Sequence, residues 1–451
     1  MERFYNIIEL INSIVWGPPI VILLVGTGIF LTIKFRVIQL KKFKLATRFV
    51  LKGARKKDKS EKKAGDISPF QALTTEMGSI IGNGNIAGVA TAIAIGGPGS
   101  LFWMWVSALF GMATKYAEVV LGVKFRFKAK DGTTAAGPMY YLKYGLKVPF
   151  LGGMFAFMLL VGNFFTSPLQ QTNSIALVFQ TELEVPRYIS AILVAFIAWT
   201  VIIGGIKSIG KFAEKMVPFM VVLYIAGALS VIICHLFSIP HAIKLIFVGA
   251  FTPTAATGGF VGSMVRQSIR YGVARGVMSN EAGIGTAGII HGVAKTEEPT
   301  RQGLVALWGV FVDTIIICTM TGLAIVVSGE WSNGLTSTAL AASAFSAAMP
   351  KFGGYIVLLS SVLFGFTSLI SGAYTGGQSC EFFLGSKAKR IYYWILCMMM
   401  FFGGIMKVEA VWSTGDIING LKIVPNLIGL IGLSGIIAKL TSDYFRRNTL
   451  E

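Results

Sequence analysis

The stretch "MGSIIGNGNIAG", residues 77–88, decides the fold. It lies inside an apolar segment, yet it holds four glycines and two asparagines. An interior glycine weakens a helix by about 1 kcal/mol relative to alanine. Gly78, Gly82, Gly84 and Gly88 therefore work against a continuous helix here. Close helix packing would account for the small residues. It leaves Asn83 and Asn85 unexplained, because their amides add polarity with no gain in packing. An unwound helix centre accounts for both. Non-helical backbone is tolerated at membrane depth only where it is buried in protein or lines a cavity.

The surrounding chain reads as membrane protein. Hydrophobic residues make up 54% and charged residues 14%, with mean hydropathy +0.69. A soluble domain carries about 25% charge. Residues Ile11 to Ile33 contain no charge, enough to cross a hydrocarbon core of about 30 Å. No small-residue cleavage site follows, so this segment reads as a retained span rather than a signal peptide. Similar segments give about eleven spans: residues 12–34, 67–96, 100–124, 150–180, 188–206, 212–236, 258–294, 303–327, 354–384, 391–406 and 409–438.

The net charge of +19 does not point to nucleic acid, because of where it sits. Thirteen Lys/Arg lie between Lys34 and Lys63, and further clusters occupy Lys124–Lys130, Lys207–Lys215, Lys295–Arg301, Lys387–Arg390 and Lys439–Arg447. They fall in every second connection. The alternate loops, such as Thr181–Arg187 and Ser328–Trp331, are acidic or neutral. This positive-inside pattern predicts a multi-pass plasma-membrane protein with the N-terminus outside and the C-terminus cytoplasmic. The run "KGARKKDKSEKK" reads as a solvated linker near anionic headgroups. Cys234, Cys318, Cys380 and Cys397 form no CxxC and read as free thiols. His235, His241 and His291 form no HExxH-like set, and no GxSxG elbow occurs, so enzyme chemistry is unsupported.

A second interruption, "RGVMSNEAGIGTAG" (residues 275–288), breaks the seventh span five spans after the first. By the charge rule the two broken spans run in opposite directions. This predicts an all-α inverted repeat, spans 2–6 against spans 7–11, with a transport site near the midplane. The expected organisation is an extra helix at 1–36, a basic cytoplasmic linker at 37–65, the first repeat at 66–236, an extracellular loop at 237–257, the second repeat at 258–440 and a cytoplasmic tail at 441–451.

Unwound backbone frees amides and carbonyls, which suit the two ends of a zwitterionic amino acid. The carboxylate is expected on N–H groups near Asn83, Gly84 and Asn85. The ammonium is expected at carbonyls near Ser79, Ile80, Met278 and Ser279. Gly82, Asn280 and Gly283 complete the candidate set, the glycines because they let substrate approach the backbone. In the fourth span Asn163, Ser167, Gln170 and Ser174 share one helical face, with Gln170 a candidate donor to the carboxylate or all four a set of interhelical hydrogen bonds. In the ninth, Phe364, Thr367, Ser368 and Ser371 share a face, either as oxygen ligands for a cation or bonded to their own helix. Asn85 is a further cation candidate.

Intramembrane ionisable residues are Glu76, Lys115, Glu118, Arg266, Arg270, Arg275, Glu281, Asp313, Glu381 and Asp416. Lys115 and Glu118 stand three apart and are expected to pair. Arg266 and Arg270 fit an extracellular mouth. Glu281 reads as a cation ligand or as a lock between the repeats.

"GNGNIAG" (82–88), "GGPGSLFWMWVSALFG" (96–111) and the run at 275–288 resemble the sodium:alanine symporter family over nearly the whole chain. That family is similar in architecture to the bacterial leucine transporter, the LeuT fold, with one extra leading helix. "GSIIGNGN" (78–85) resembles the leucine transporter's own first break. The resemblance implies sodium-driven uptake of alanine or glycine. It also implies a sodium site in which Thr367 and Ser368 meet the carbonyls of Gly78 and Ile81, with Asn85 marking a second site beside the substrate. Proton coupling through Glu76 or Glu281 is the alternative, and an ion channel lined by the broken helices a more distant one.

Overall fold

The computed structural model describes residues 15–55, 64–129, 132–165, 167–252, 261–406 and 408–448. The start of the first span, the run at 56–63 and the side chains of Ser167 and Asp416 lie outside the described residues. The described chain is almost wholly helical, with one small hairpin of β1 (Phe127–Lys128) and β2 (Thr134–Ala135).

Helix α1 (Pro18–Lys34) is followed by α2 (Phe43–Arg55), a basic amphipathic helix within the expected linker. The first broken span is α3 (Pro69–Ile80) and α4 (Ala87–Gly96), joined by a single tight turn and bent by 58°. A capping box starts α3: the Ser68 hydroxyl accepts from the Gln71 amide at 3.0 Å, and Gln71 Oε1 accepts from the Ser68 amide at 3.1 Å. Next come α5 (Ser100–Lys124), α6 (Pro149–Phe165), a π-helical turn (Ser167–Gln171), α7 (Thr172–Leu183), α8 (Arg187–Ile202) and α9 (Gly205–Cys234). The connection expected as an extracellular loop at 237–257 contains a helix, α10 (Ile239–Phe251). It docks on α5, where the Trp103 indole donates to the Ala250 carbonyl at 3.0 Å and Gly99 allows contact with the backbone of Gly249.

The second broken span is α11 (Val261–Asn280) and α12 (Thr286–Gly292). It is followed by α13 (Pro299–Val310), a π-helical stretch (Phe311–Cys318), α14 (Thr319–Val327) and α15 (Ser337–Ala348). Spans nine and ten form one run, α16 (Gly353–Ile405), which reverses at Gly385 in the left-handed region (φ 79°) that glycine adopts without strain. The expected last span ends early. Helix α17 (Val408–Gly432) bends by 55° into α18 (Ser434–Asn448), so the expected tail is helical to Asn448. Gly429 and Gly432, poor helix formers, precede that bend and pack on Leu142 and Leu146.

Among the described residues, five helices can cross a membrane on their own by length and composition, and two bent pairs raise this to seven. Their apolar side chains do not all turn inward: Phe196, Val222 and Ile192 are more than half exposed, the pattern of helices solvated by lipid. Packing sorts the helices into two groups. Helices α3, α4, α5, α11, α12 and α13 pack on one another, as do α6, α7, α8 and α16, with α9 against α3 and α16. The two breaks face the seam between these groups.

Candidate functional site

The first break begins where α3 stops at Ile80. Ile81 and Gly82 are extended, and Asn83–Asn85 make one turn of 3-10 helix. Asn85 braces that turn. Its Oδ1 accepts from the Gly82 amide at 2.9 Å, and its own amide donates to the Gly82 carbonyl at 3.1 Å. The Asn83 side chain donates to Gln171 Oε1 at 3.0 Å.

The second break reverses the chain through Glu281 (φ 55°), Gly283 (φ 98°) and Gly285 (φ 95°). The Gly283 and Gly285 amides donate to Glu118 Oε1 at 2.9 and 3.0 Å. Asn426 of α17 donates to the same carboxylate oxygen and to the Gly283 carbonyl, both at 2.8 Å, and receives the Tyr141 hydroxyl. The unwound backbone is thus satisfied from two neighbouring elements, α5 and α17, with Tyr141 holding Asn426 in place, as buried irregular backbone requires. This corrects the expected Lys115–Glu118 pair. Glu118 is turned to the second break, and Lys115 instead meets Glu76 of α3 at 2.8 Å, both fully buried.

Asp313, on the π-helical stretch after α13, links the two breaks. It is wholly buried. Asn85 Nδ2 donates to its Oδ1 at 2.6 Å, and the Ser279 hydroxyl reaches both oxygens at 3.1 and 2.9 Å. Thr314 donates to Oδ2 at 2.7 Å and receives Asn280 Nδ2 at 3.0 Å. The cluster therefore gathers carboxylate and hydroxyl oxygens, hard ligand types that suit a small cation, while the Asn85 and Asn280 side chains face it with their N–H donors.

A cavity of about 90 Å³ lies between the breaks. Of the expected substrate residues, Ser79, Ile80, Gly82, Gly84, Gln170 and Met278 line it. Asn83, Asn85, Ser279, Asn280 and Gly283 stand behind that lining, occupied with Gln171, Asp313, Thr314 and Glu118. At Gly84 the backbones of the two breaks approach, and an added Cβ would meet Ser279 Cα at 3.8 Å, an ordinary contact, so the space alone does not demand glycine. Asn163 is an interhelical anchor, donating to the Gly372 carbonyl at 3.1 Å and Thr375 Oγ1 at 3.0 Å, while Ser174 bonds within its own helix to the Gln170 carbonyl.

Helix α16 contributes hydroxyls to the first break. Ser368 donates to the Ser79 carbonyl and Ser371 to the Thr75 carbonyl, each at 3.0 Å. Thr367 donates to its own helix, to the carbonyls of Leu363 and Phe364 at 3.1 Å, and its Cβ lies 3.5 Å from where a Cβ on Gly78 would stand. Ile81 is fully buried beside them. Arg270 lies over the Tyr271 ring, Arg266 is exposed, and Glu381 pairs with Lys389 at 2.8 Å. Lys422 of α17 and Arg275 of α11 bring two cations to the cavity wall, with Glu281 as the acid. Lys422 was open to discovery from sequence, as a lone lysine between apolar residues in the middle of a span.

At the basic-loop end, the broken spans are joined again. Ile67 and Ala294 form a parallel bridge, with the Lys295 amide donating to the Ile67 carbonyl at 2.7 Å. The Arg126 guanidinium, outside the spans, donates to the carbonyls of Ala64, Gly292 and Ala294 at 3.1, 3.1 and 2.6 Å, and to Thr296. Burial pulls this guanidinium below its usual pKa, opposed by Asp66 and Glu297.

The sodium:alanine symporter family profile matches residues 1–451. The sodium/alanine symporter AgcS of Methanococcus maripaludis is 42% identical over 449 residues, covering 98% of this chain and 97% of that protein. A probable sodium/glutamine symporter, GlnT of Bacillus subtilis, is 34% identical over 444 residues, covering 98% and 91%. Among solved structures, MhsT in complex with L-phenylalanine superposes with TM-score 0.59 at 12% identity, over 82% of this chain and 89% of that one. That likeness establishes the LeuT-type fold.

Proposed function

Since the chain belongs to the sodium:alanine symporter family, we propose that it couples the inward movement of sodium to uptake of small neutral amino acids, alanine and glycine. The observation that carries this reading is the meeting of two broken helices around one polar cavity, with Asp313 receiving hydrogen bonds from both. The description of the relative AgcS as a sodium/alanine symporter supports the substrate and the ion.

In this reading the substrate carboxylate lies against the N–H groups near Asn83 and Gly84, with Gln170 alongside. The Asn85 amide is already committed to Gly82, so Asn85 serves by holding the turn. The ammonium meets the carbonyls of Ser79, Ile80 and Met278. Ser279, Asn280 and Gly283 hold the facing break in shape. One sodium is held by the hydroxyls of Thr367 and Ser368 with the carbonyls of Gly78, Ile81 and Phe364. Another lies at Asp313 with the Ser279 and Thr314 hydroxyls, where the carboxylate, steadied by the Asn85 side-chain N–H, balances its charge and the hydroxyls rotate to present lone pairs. Because the first of these ions would touch both helix groups and the second would tie the two breaks, their binding biases the rocking of one group on the other, and substrate and ion strengthen each other's binding reciprocally. The basic-loop end faces the cytoplasm and the N-terminus the outside, in the plasma membrane.

The test is uptake of radiolabelled alanine into proteoliposomes with sodium and pH gradients imposed separately. Saturable accumulation under the sodium gradient alone is expected. Accumulation under the pH gradient alone overturns sodium coupling, and absence of saturable accumulation overturns the substrate assignment.

A further inference from the structure

The cavity carries more polarity than a methyl side chain can use. Away from the two breaks its wall holds Asn163, Thr375, Asn419 and Lys422. Lys422 is only 2% exposed, and its ammonium makes no hydrogen bond or ion pair among the described residues. Its Nζ stands beside Gly162, 3.7 Å from where a Cβ would lie, while the close approach at that glycine is to Ile418. Asn163 and Thr375 are bonded to each other, which fixes this end of the wall. Glu281, at the second break, lines the same cavity and is the acid among its lining residues. An ammonium has three donors, and burying them without acceptors is unfavourable. A molecule that brings an oxygen acceptor to this end relieves that cost.

We infer that Lys422 is a specificity-determining residue that reads the substrate's side chain. Its ammonium donates to the oxygen of a neutral acceptor, a carboxamide, and repels a cationic side chain. A carboxylate side chain gains less than its charge suggests, because it is brought into the field of Glu281. The transported class therefore extends from small side chains to those of glutamine type. This inference rests on the proposed function, in which the cavity holds an amino acid with its head group at the breaks.

The experiment competes radiolabelled alanine uptake by the full-length protein in proteoliposomes with unlabelled alanine, glutamine, glutamate and lysine. Wild type, Lys422→Met and Lys422→Gln are compared. The readout is the ratio of the glutamine to the alanine inhibition constant, which cancels differences in the amount of inserted protein. In wild type, glutamine competes and lysine does not. In Lys422→Met the ratio rises at least about tenfold, and lysine begins to compete. Lys422→Gln, which keeps donors without the charge, recovers part of the glutamine recognition, which a merely structural role would not predict. An unchanged ratio in Lys422→Met, or a wild type that accepts lysine as well as glutamine, overturns the inference. Failure of unlabelled alanine to compete in wild type overturns the proposed function as well.

Discussion

Replacing Asp313 by asparagine removes one negative charge from the cluster that joins the breaks while keeping its shape. The carboxylate receives Asn85 at 2.6 Å, Ser279 at 2.9 Å and Thr314 at 2.7 Å. The asparagine oxygen still accepts from Asn85, and its amide donates to Ser279 or Thr314, whose hydroxyls can also accept. The fold should therefore lose no more than about 1–2 kcal/mol, on the order of one weakened hydrogen bond to a charged group. The effect on a cation is larger. Two unit charges about 4 Å apart attract by roughly 4 kcal/mol at an effective dielectric of about 20. The asparagine carbonyl remains as a ligand and recovers part of this. A net loss of about 1.4 kcal/mol or more follows, at least about tenfold in the sodium concentration for half-maximal uptake. Sodium titration of alanine uptake, with thermal unfolding as the control, reads the two effects separately. An Asp313→Asn protein that transports with wild-type sodium dependence refutes the placement of an ion at Asp313.

Ser368→Ala and Thr367→Val each raise the half-maximal sodium concentration at least about tenfold, about 1.4 kcal/mol, while alanine affinity at saturating sodium changes much less; wild-type sodium titration curves in both variants would dismiss the site on α16. Asn85→Leu strands the Gly82 amide and takes from the Asp313 carboxylate one of its donors, at about 1–3 kcal/mol for each buried group left unsatisfied; uptake per folded molecule should collapse, and normal uptake with normal sodium dependence would show that the side-chain amide is dispensable. Lys115→Met leaves Glu76 buried without its cation, which destabilises by about 3–5 kcal/mol; the double variant Lys115→Met with Glu76→Gln should regain much of that in thermal unfolding, and no recovery would mean the pair is not the reason.

The two breaks were legible because glycine and asparagine in an apolar segment conflict with local helix propensity, and such conflicts persist only where the backbone is used. The ends of the breaks were legible too: Ser79, Gly82, Gly84 and Met278 reach the cavity wall. The partners of the breaks were not. Asp313 lies more than two hundred residues from Asn85, and a π-helical stretch sets its direction. Helical spacing on one element could not foresee either. The same limit explains the Lys115 expectation, since a nearby Glu118 three positions on was outcompeted by Glu76 from another helix. Helix α10 was hidden because charge counting marks loops and spans, not helices that lie across their ends. Lys422 was visible as an isolated charge in a span, but its meaning depends on Asn163, Thr375 and Glu281 from three other elements.

Symport requires that either solute, flowing down its own gradient, drives the other uphill. The most direct measurement therefore loads proteoliposomes containing the full-length protein with equal sodium on both sides, imposes an inward alanine gradient, and follows radiolabelled sodium. Transient accumulation of sodium above its external concentration, dependent on alanine and abolished when the alanine gradient is absent, is the predicted result. Sodium movement that ignores alanine, or alanine entry with no sodium accumulation, contradicts coupled transport at the cavity between the two breaks.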